Sequence, residues 1–149
     1  TPIKSSAASD VYKRQVYIRL RGALLLNELN ADITLEQFIT LDAISSSSDV
    51  CQRDLAKVLL KDRSNVTRIL NILEQKGLIT REPANKGKRI VKYTRLTPKG
   101  RELMDKYADR MKNDLNDFLS QFNQKDLKIM ERMLEEISNK ISENANLQI

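Results

Sequence analysis

The amino-acid sequence predicts a mainly α fold that carries one small β-hairpin. Across most of the 149 residues, apolar side chains recur every three or four positions, which is the period of an amphipathic helix. Only between Leu78 and Leu96 do two short β-branched runs replace that period, as is typical of paired strands. Charge points to one face: residues 51–100 hold 13 Lys and Arg against 4 Asp and Glu, which indicates a polyanionic partner.

The first part of the chain divides into a tail and two helices. Residues 1–15 lack a starting Met and show little helical periodicity, so we interpret them as a non-native scar or a disordered tail. A helix is predicted over 16–30, and its apolar residues cover several faces, so it needs more than one neighbour. Thr34 and Gln37 then form a T-x-x-Q capping box that starts the second helix.

Two short helices joined by a tight turn are predicted next. The first runs from about Gln52 to Leu60, and Asp62 is the N-cap of the second. Gly77 ends the second helix at the left-handed position after its C-cap. The inward stripe of this second helix has the spacing i, i+3, i+4, i+7 and consists of Val66, Ile69, Leu70 and Leu73. Such a pair is of the helix-turn-helix type.

A hairpin, or wing, and two long helices complete the chain. The predicted strands are Leu78–Glu82 and Ile90–Leu96, with a basic tip over 83–89, and Thr97 followed by Pro98 starts the next helix. The two long helices carry narrow apolar seams: Met104, Ala108, Met111, Leu115, Phe118 and Phe122, then Leu127, Met130, Leu134, Ile137 and Ile141. Narrow seams predict a homodimer, and the alternative is a monomeric bundle whose first helix fills the groove.

This order of elements is that of a winged helix-turn-helix flanked by N- and C-terminal dimerisation helices. The inward stripe leaves an outward polar set on the second hairpin helix: Arg63, Ser64, Asn65, Thr67, Arg68 and Asn71. In a DNA major groove Arg68 can bind guanine and Asn65 can bind adenine, whereas a solvated polar face is the alternative interpretation. Lys86, Lys88 and Arg89 repel one another at the wing tip, so we expect them to reach phosphates or a minor groove.

The composition excludes several classes of function. The chain has no His and a single Cys, which excludes His-based catalytic triads and zinc sites built from Cys and His. With no glycine-rich phosphate loop either, we expect no enzymatic activity, no cofactor and no metal. No apolar run reaches the roughly 18–20 residues that span a bilayer. One Cys cannot form a disulfide within the chain, so we expect an intracellular, cytoplasmic protein.

Four segments carry a family resemblance: Gln52-Arg53-Asp54-Leu55-Ala56, Asp62-Arg63-Ser64-Asn65-Val66-Thr67-Arg68, Leu73-Glu74-Gln75-Lys76-Gly77-Leu78-Ile79 and Leu96-Thr97-Pro98-Lys99-Gly100. In this order the chain resembles the MarR family of bacterial transcription regulators. The resemblance implies a single domain over 16–149, with a winged core at about 34–97 and dimerisation helices at about 16–30 and 98–145. It also implies a ligand cleft lined by the first helix and the start of the Thr97 helix, and a minor-groove role for Arg89.

The sequence departs from that family at three positions. Gly87 stands in the wing where the family usually has Asp. Leu60 stands where the family commonly has Gly, and because a Leu at positive φ costs about 1 kcal/mol, we expect this turn to be built differently. Cys51 stands where the family usually has a Ser or Thr N-cap. A thiol there, beside Arg53, is a candidate redox site, and a tolerated small residue is the alternative.

The sequence therefore predicts a homodimeric regulator of transcription that binds a near-palindromic site in double-stranded DNA, with release by an unidentified small-molecule effector implied by the resemblance. The alternative is a winged-helix interaction module that binds protein or structured RNA through the same basic face. The candidate DNA-binding residues are Gln52, Arg63, Ser64, Asn65, Thr67, Arg68, Lys86, Lys88 and Arg89.

Overall fold

A computed structural model describes residues 5–47, 49–86 and 89–144. In chain order the described elements are α1 (Ser5–Glu28), α2 (Leu35–Ser45), β1 (Val50–Cys51), α3 (Gln52–Val58), α4 (Arg63–Gln75), β2 (Ile79–Lys86), β3 (Arg89–Leu96), α5 (Pro98–Leu119) and α6 (Gln124–Asn144). The mainly α class with a small hairpin wing is confirmed. No helix, over these residues, is long and apolar enough to cross a membrane.

Three helices begin at the N-caps that the sequence predicts. The side chains of Thr34, Asp62 and Thr97 each accept a hydrogen bond from the backbone N–H three residues on, at 3.3, 2.9 and 3.0 Å. At Thr34 the capping box is complete, because the side chain of Gln37 accepts from the Thr34 N–H at 3.2 Å. These bonds satisfy N–H groups that a helix start otherwise leaves without a partner.

The hydrophobic core lies between α2, α3, α4 and the sheet, with α1 and α5 at its edge. The predicted α4 stripe is buried, since none of its four residues is more than 2% exposed. The other buried apolar residues of this core are Leu26, Ile33, Phe38, Leu41, Ile44, Val50, Leu55, Leu78, Ile79, Met104 and Tyr107. Burial of these side chains is the main force that holds the winged helix-turn-helix together.

The sheet differs from the predicted hairpin in two ways. A third strand, β1, pairs with β3, so the described sheet is antiparallel in the order β1-β3-β2. The predicted seven-residue tip is wrong, because pairing continues from Ile79↔Leu96 as far as Lys86↔Arg89. Pro83 does not interrupt β2. In the described part of the sheet β2 is an edge strand next to β3, and an edge strand tolerates a residue without an N–H.

The ends of α1 and α3 also differ from prediction. The first helix extends over Ser5–Glu28 rather than starting at residue 16, so the backbone over 5–15 is helical. The helix that starts at Gln52 ends at Val58 rather than at Leu60. The division into a tail, a core and dimerisation helices at the predicted boundaries stays a prediction.

The seams of the long helices are largely exposed in the single chain. Met104 is buried near the start of α5, but farther along Leu115, Phe118 and Leu134 are about half exposed. Leu20 and Leu24 of the first helix are likewise 48% and 46% exposed, and the choice between a homodimer and a monomeric bundle stays a prediction. Apolar surface on this scale is typical of an interface.

Hydrogen bonds hold the start of α5 against the turn that ends α4, although the wing lies between these two helices in the chain. Gly77 has φ of +69°, and the next N–H, that of Leu78, donates to the Leu73 carbonyl at 2.9 Å, which is a Schellman C-cap. The Thr97 hydroxyl donates to the Gly77 carbonyl at 2.6 Å, and the Thr97 N–H donates to the Leu78 carbonyl at 3.1 Å. Gly100 lies so close that a Cβ there would be 2.0 Å from the Leu78 carbonyl oxygen.

We therefore expect Gly100→Ala to lower the free energy of unfolding by about 2–3 kcal/mol, because the methyl group would force two backbone segments apart. Urea denaturation measures this change. Gly22→Ala is the matched control, since its Cβ would meet only the flexible end of Leu35, at 3.0 Å. Equal effects of the two substitutions would contradict the close approach of α5 to the Leu78 carbonyl.

Candidate nucleic-acid interface

The structure brings the predicted recognition residues together on the first two turns of α4. The side chains of Arg63, Ser64 and Arg68 are exposed, and those of Asn65 and Thr67 are half-buried. They share one face of α4, here called the recognition face, because the buried stripe occupies the other face. The N-terminus of a helix carries a partial positive charge, so this end of α4 favours an anionic partner electrostatically.

Two of the candidate residues are already engaged within the protein. The Thr67 hydroxyl donates to the Arg63 carbonyl at 2.7 Å and accepts from Nε2 of Gln52. The Gln52 amide also donates to the Arg63 carbonyl, at 3.3 Å. The single proton of the Thr67 hydroxyl is thus used within the helix, while its oxygen keeps one acceptor lone pair. These bonds tie the start of α3 to the first turn of α4, and the DNA contacts of Gln52 and Thr67 stay predictions.

Arg68 and Asn65 form a pair on the exposed face. Nη2 of Arg68 donates to Oδ1 of Asn65 at 3.1 Å, one helical turn away. The contact uses the amide oxygen of Asn65 and leaves its NH₂ group to donate to another partner. An exposed pair of this kind contributes little to stability, so either partner can exchange it for a base edge.

A groove of about 770 Å³ lies between α1, α2 and α4. It is lined by Val16, Arg19, Leu20, Ala23, Thr34, Leu35, Glu36, Gln37, Arg68, Ile69 and Ile72. The first helix, which the resemblance assigns to a ligand cleft, lines this groove together with α2. The start of the Thr97 helix lines a separate pocket of about 370 Å³ with Pro98 and Arg101. A ligand cleft between these elements stays a prediction.

Glu36 is the acidic group of this groove, and two cations hold it. Its carboxylate accepts from Nζ of Lys61 at 2.9 Å and from Nη2 of Arg19 at 3.0 Å. The hydrogen bond from Lys61 is the main cause of a lowered pKa at Glu36, with a further contribution from Arg19 against the opposing effect of burial. Glu36 therefore links the long helix α1 to the turn between α3 and α4.

The predicted wing cations are described only in part. The backbone of Lys86 pairs with that of Arg89, at the far end of the β2–β3 ladder. Gly87 and Lys88 lie outside the described residues, and so do the side chains of Lys86 and Arg89. The contacts of these three cations with DNA stay predictions.

A residue absent from the predicted set joins the wing to α4. Arg81 of β2 donates from Nη2 to Oδ1 of Asn71 at 2.8 Å and from Nε to Oε2 of Glu74 at 3.1 Å. The hydrogen bond from Arg81 is also the main cause of the lowered pKa of Glu74. In the sequence, this contact could have been predicted only from the opposite charges of Glu74 and Arg81 on either side of the Gly77 turn.

The segment that carries this candidate interface is similar in sequence to known proteins. Residues 31–90, which run from the loop before α2 into β3, match the sequence model of the MarR family. Over these residues the chain is similar in sequence to the MarR family. The resemblance inferred from the four motifs is thereby confirmed for the winged helix-turn-helix.

Solved structures have the same fold as this chain over more than residues 31–90. A MarR/EmrR family transcriptional regulator from Acinetobacter sp. ADP1 is 20% identical, with a TM-score of 0.82 over 96% of this chain and 99% of that one. MepR of S. aureus, in its complex with DNA, is 23% identical, with a TM-score of 0.79 over 90% and 97%. NadR, in complex with 4-hydroxyphenylacetate, is 20% identical, with a TM-score of 0.70 over 92% and 94%.

Cys51 is the N-cap residue of α3, but its side chain makes no capping hydrogen bond. Its thiol is buried, at 9% exposure, and donates to Oδ2 of Asp54 at 2.9 Å. Reactive cysteines instead occupy exposed, electropositive surroundings. The geometry therefore favours a tolerated small residue over a redox site. Among the described residues no group of three or more Cys, Asp and Glu could hold a metal ion.

The turn between α3 and α4 contains a left-handed residue even though that residue is Leu60. Its φ is +50°, so the expectation of a differently built turn is wrong. The Lys61 N–H donates to the Ala56 carbonyl at 3.0 Å, and the Leu60 N–H donates to the Lys57 carbonyl at 3.1 Å. Two Schellman bonds therefore retain the turn geometry and offset the unfavourable φ.

Leu60→Gly should raise the free energy of unfolding by about 1 kcal/mol, because Leu is strained at positive φ and its exposed side chain loses little burial. Asn30→Gly is the control: Asn30 ends α1 with φ of +51°, which Asn tolerates, so we expect a smaller gain. Urea denaturation of both variants compares them. A destabilised Leu60→Gly protein would show that the Leu60 side chain makes a necessary contact.

Proposed function

We propose that this chain is a transcription regulator that binds a specific, near-palindromic site in double-stranded DNA as a homodimer. The observation that carries the proposal is the exposed polar and cationic face at the start of α4, next to a hairpin wing on a MarR-family segment. A helix with such a face fits the major groove, where Arg and Asn side chains distinguish base pairs.

The candidate residues divide between base recognition and phosphate contacts. Arg68 and Asn65 are assigned to bases, because both end in groups that form bidentate bonds with base edges. Arg63 and Ser64, at the first turn of α4, are assigned to phosphates, and so are the wing cations Lys86, Lys88 and Arg89, with Arg89 also a candidate for the minor groove. The likeness to MepR, which was solved with DNA, supports DNA as the partner of these residues.

A homodimer is supported by the apolar surface of the outer helices. The half-exposed seams of α5 and α6 and the apolar residues of α1 would become buried against a second copy. Two copies of α4 related by a two-fold axis would meet half-sites about one helical turn of DNA apart. The expected operator is therefore a near-palindrome.

The groove between α1, α2 and α4 is the proposed site for a small-molecule effector. Its apolar lining with a few charged groups is typical of small-molecule sites. Arg68 lines this groove and also belongs to the recognition face, so a ligand there would act directly on a DNA-binding side chain. The likeness to NadR, which was solved with 4-hydroxyphenylacetate, supports a ligand of modest size.

Duplexes selected from a random pool test DNA recognition. Arg68→Ala should weaken binding to the selected duplex by about 1–3 kcal/mol and leave binding to random duplex nearly unchanged, because only base contacts discriminate between sequences. Fluorescence anisotropy measures both affinities. Lys99→Ala is the control: Nζ of Lys99 binds the Lys76 carbonyl, at the opposite end of α4.

Two outcomes would contradict parts of this proposal. Equal loss on both duplexes would remove the base-reading role of Arg68. For the wild-type protein, we expect affinity for random duplex to fall steeply as salt rises, since phosphate contacts release counterions. Little duplex binding at any salt concentration would instead favour the interaction module for protein or structured RNA.

Leu134→Lys should convert the wild-type dimer to a monomer, because a charge would be placed in the seam of α6. Sedimentation equilibrium measures the mass. Asn139→Lys adds the same charge to the same helix, about 140° around its axis from Leu134, and should leave the dimer intact. A wild-type monomer, or two variants with equal masses, would contradict the proposed interface.

A further inference from the structure

Arg81 makes an unusually complete set of contacts for a residue on the surface of the wing. Its guanidinium donates to Asn71 and Glu74, which lie on successive turns of the outer face of α4. The Arg81 side chain is only 18% exposed, compared with 45% for Arg95 on the neighbouring strand. Over the described side chains, these are the hydrogen bonds that connect a wing strand directly to α4.

The fold does not depend on these bonds. The buried apolar stripe already anchors α4, and eight residue pairs already hold β2 against β3. A partly exposed ion pair adds little stability beyond that. What the bonds restrict is the tilt of the wing relative to α4, because Arg81 lies on β2 before the strand extends towards Lys86.

A direct contact between Arg81 and DNA phosphate fits the geometry poorly. Glu74 neutralises the charge of Arg81, and its lowered pKa keeps it ionised near neutral pH. A phosphate could engage the guanidinium only after the bonds to Glu74 and Asn71 had broken. Arg81, Asn71 and Glu74 form a set that we call the clamp. Asn71 is one turn beyond Arg68, so the clamp borders the recognition face directly.

We propose that Arg81 is a positioning residue for DNA binding, which fixes the wing at the tilt where the wing and α4 contact one duplex simultaneously. The inference rests on the proposed function and assigns a role to a residue outside the predicted contact set. A wing held in place before binding does not have to be ordered when DNA binds. Glu74 and Asn71 are the other two parts of this clamp.

Glu74→Gln provides the decisive test, because positioning and direct contact predict opposite results. Removal of a negative charge near DNA should by itself strengthen binding to a polyanion. If Arg81 acts through the clamp, Glu74→Gln instead weakens binding to random duplex by about tenfold, the effect of a wing that must be ordered on binding. Arg81→Gln gives the same loss, and the double variant loses no more than either single variant.

The matched controls are Glu82→Gln and Arg95→Gln. These residues form an ion pair at 2.8 Å on the same hairpin, in which Arg95 also donates to Asp49, and neither residue has a bond to α4. We expect Glu82→Gln to leave affinity unchanged or slightly higher, and Arg95→Gln to lower it by no more than the loss of one charge explains. Anisotropy titrations at several salt concentrations measure affinities and salt slopes, and circular dichroism melts confirm that each variant folds.

The outcomes separate this inference from the proposed function. A wild-type protein that does not bind duplex contradicts the proposed function itself. If the wild type binds DNA but Glu74→Gln behaves like Glu82→Gln, only the positioning role is overturned. If Glu74→Gln strengthens binding while Arg81→Gln weakens it, Arg81 contacts phosphate directly and the clamp is not its function.

Discussion

Val66, Ile69, Leu70 and Leu73 can all be buried at only one rotation of α4 about its axis. Each of them is at most 2% exposed, so a turn of the helix by even one residue position would expose part of the stripe and bury polar groups in its place. This constraint decides which side chains of α4 face outward. The recognition face, the contact with α3 and the position of the wing all follow from it.

Helix ends and apolar stripes could be predicted from the sequence because they depend on residues close together in the chain. The caps at Thr34, Asp62 and Thr97 are such features, and so is the left-handed Gly77. Short or paired elements could not be predicted in the same way. The two-residue strand β1 has no periodicity of its own, and only its pairing with β3 defines it.

The candidate site shows the same division. The outward set of α4 follows from the buried stripe, but the use that each side chain makes of its polar atoms depends on neighbours from other elements. The sequence alone does not reveal that Gln52 of α3 donates a hydrogen bond to the Thr67 hydroxyl, or that Arg81 donates one to the amide oxygen of Asn71. Leu60 shows the reverse case, in which backbone bonds hold a conformation that the side chain alone disfavours.

The junction at Thr97 gives α5 the mechanical properties of a lever. With 22 residues at about 1.5 Å each, α5 is about 33 Å long, and its first turn is fixed to the last turn of α4. A rotation of about 5° around that fixed end moves the far end by about 3 Å. Conversely, in the proposed dimer, small adjustments among the outer helices would alter the separation between the two copies of α4.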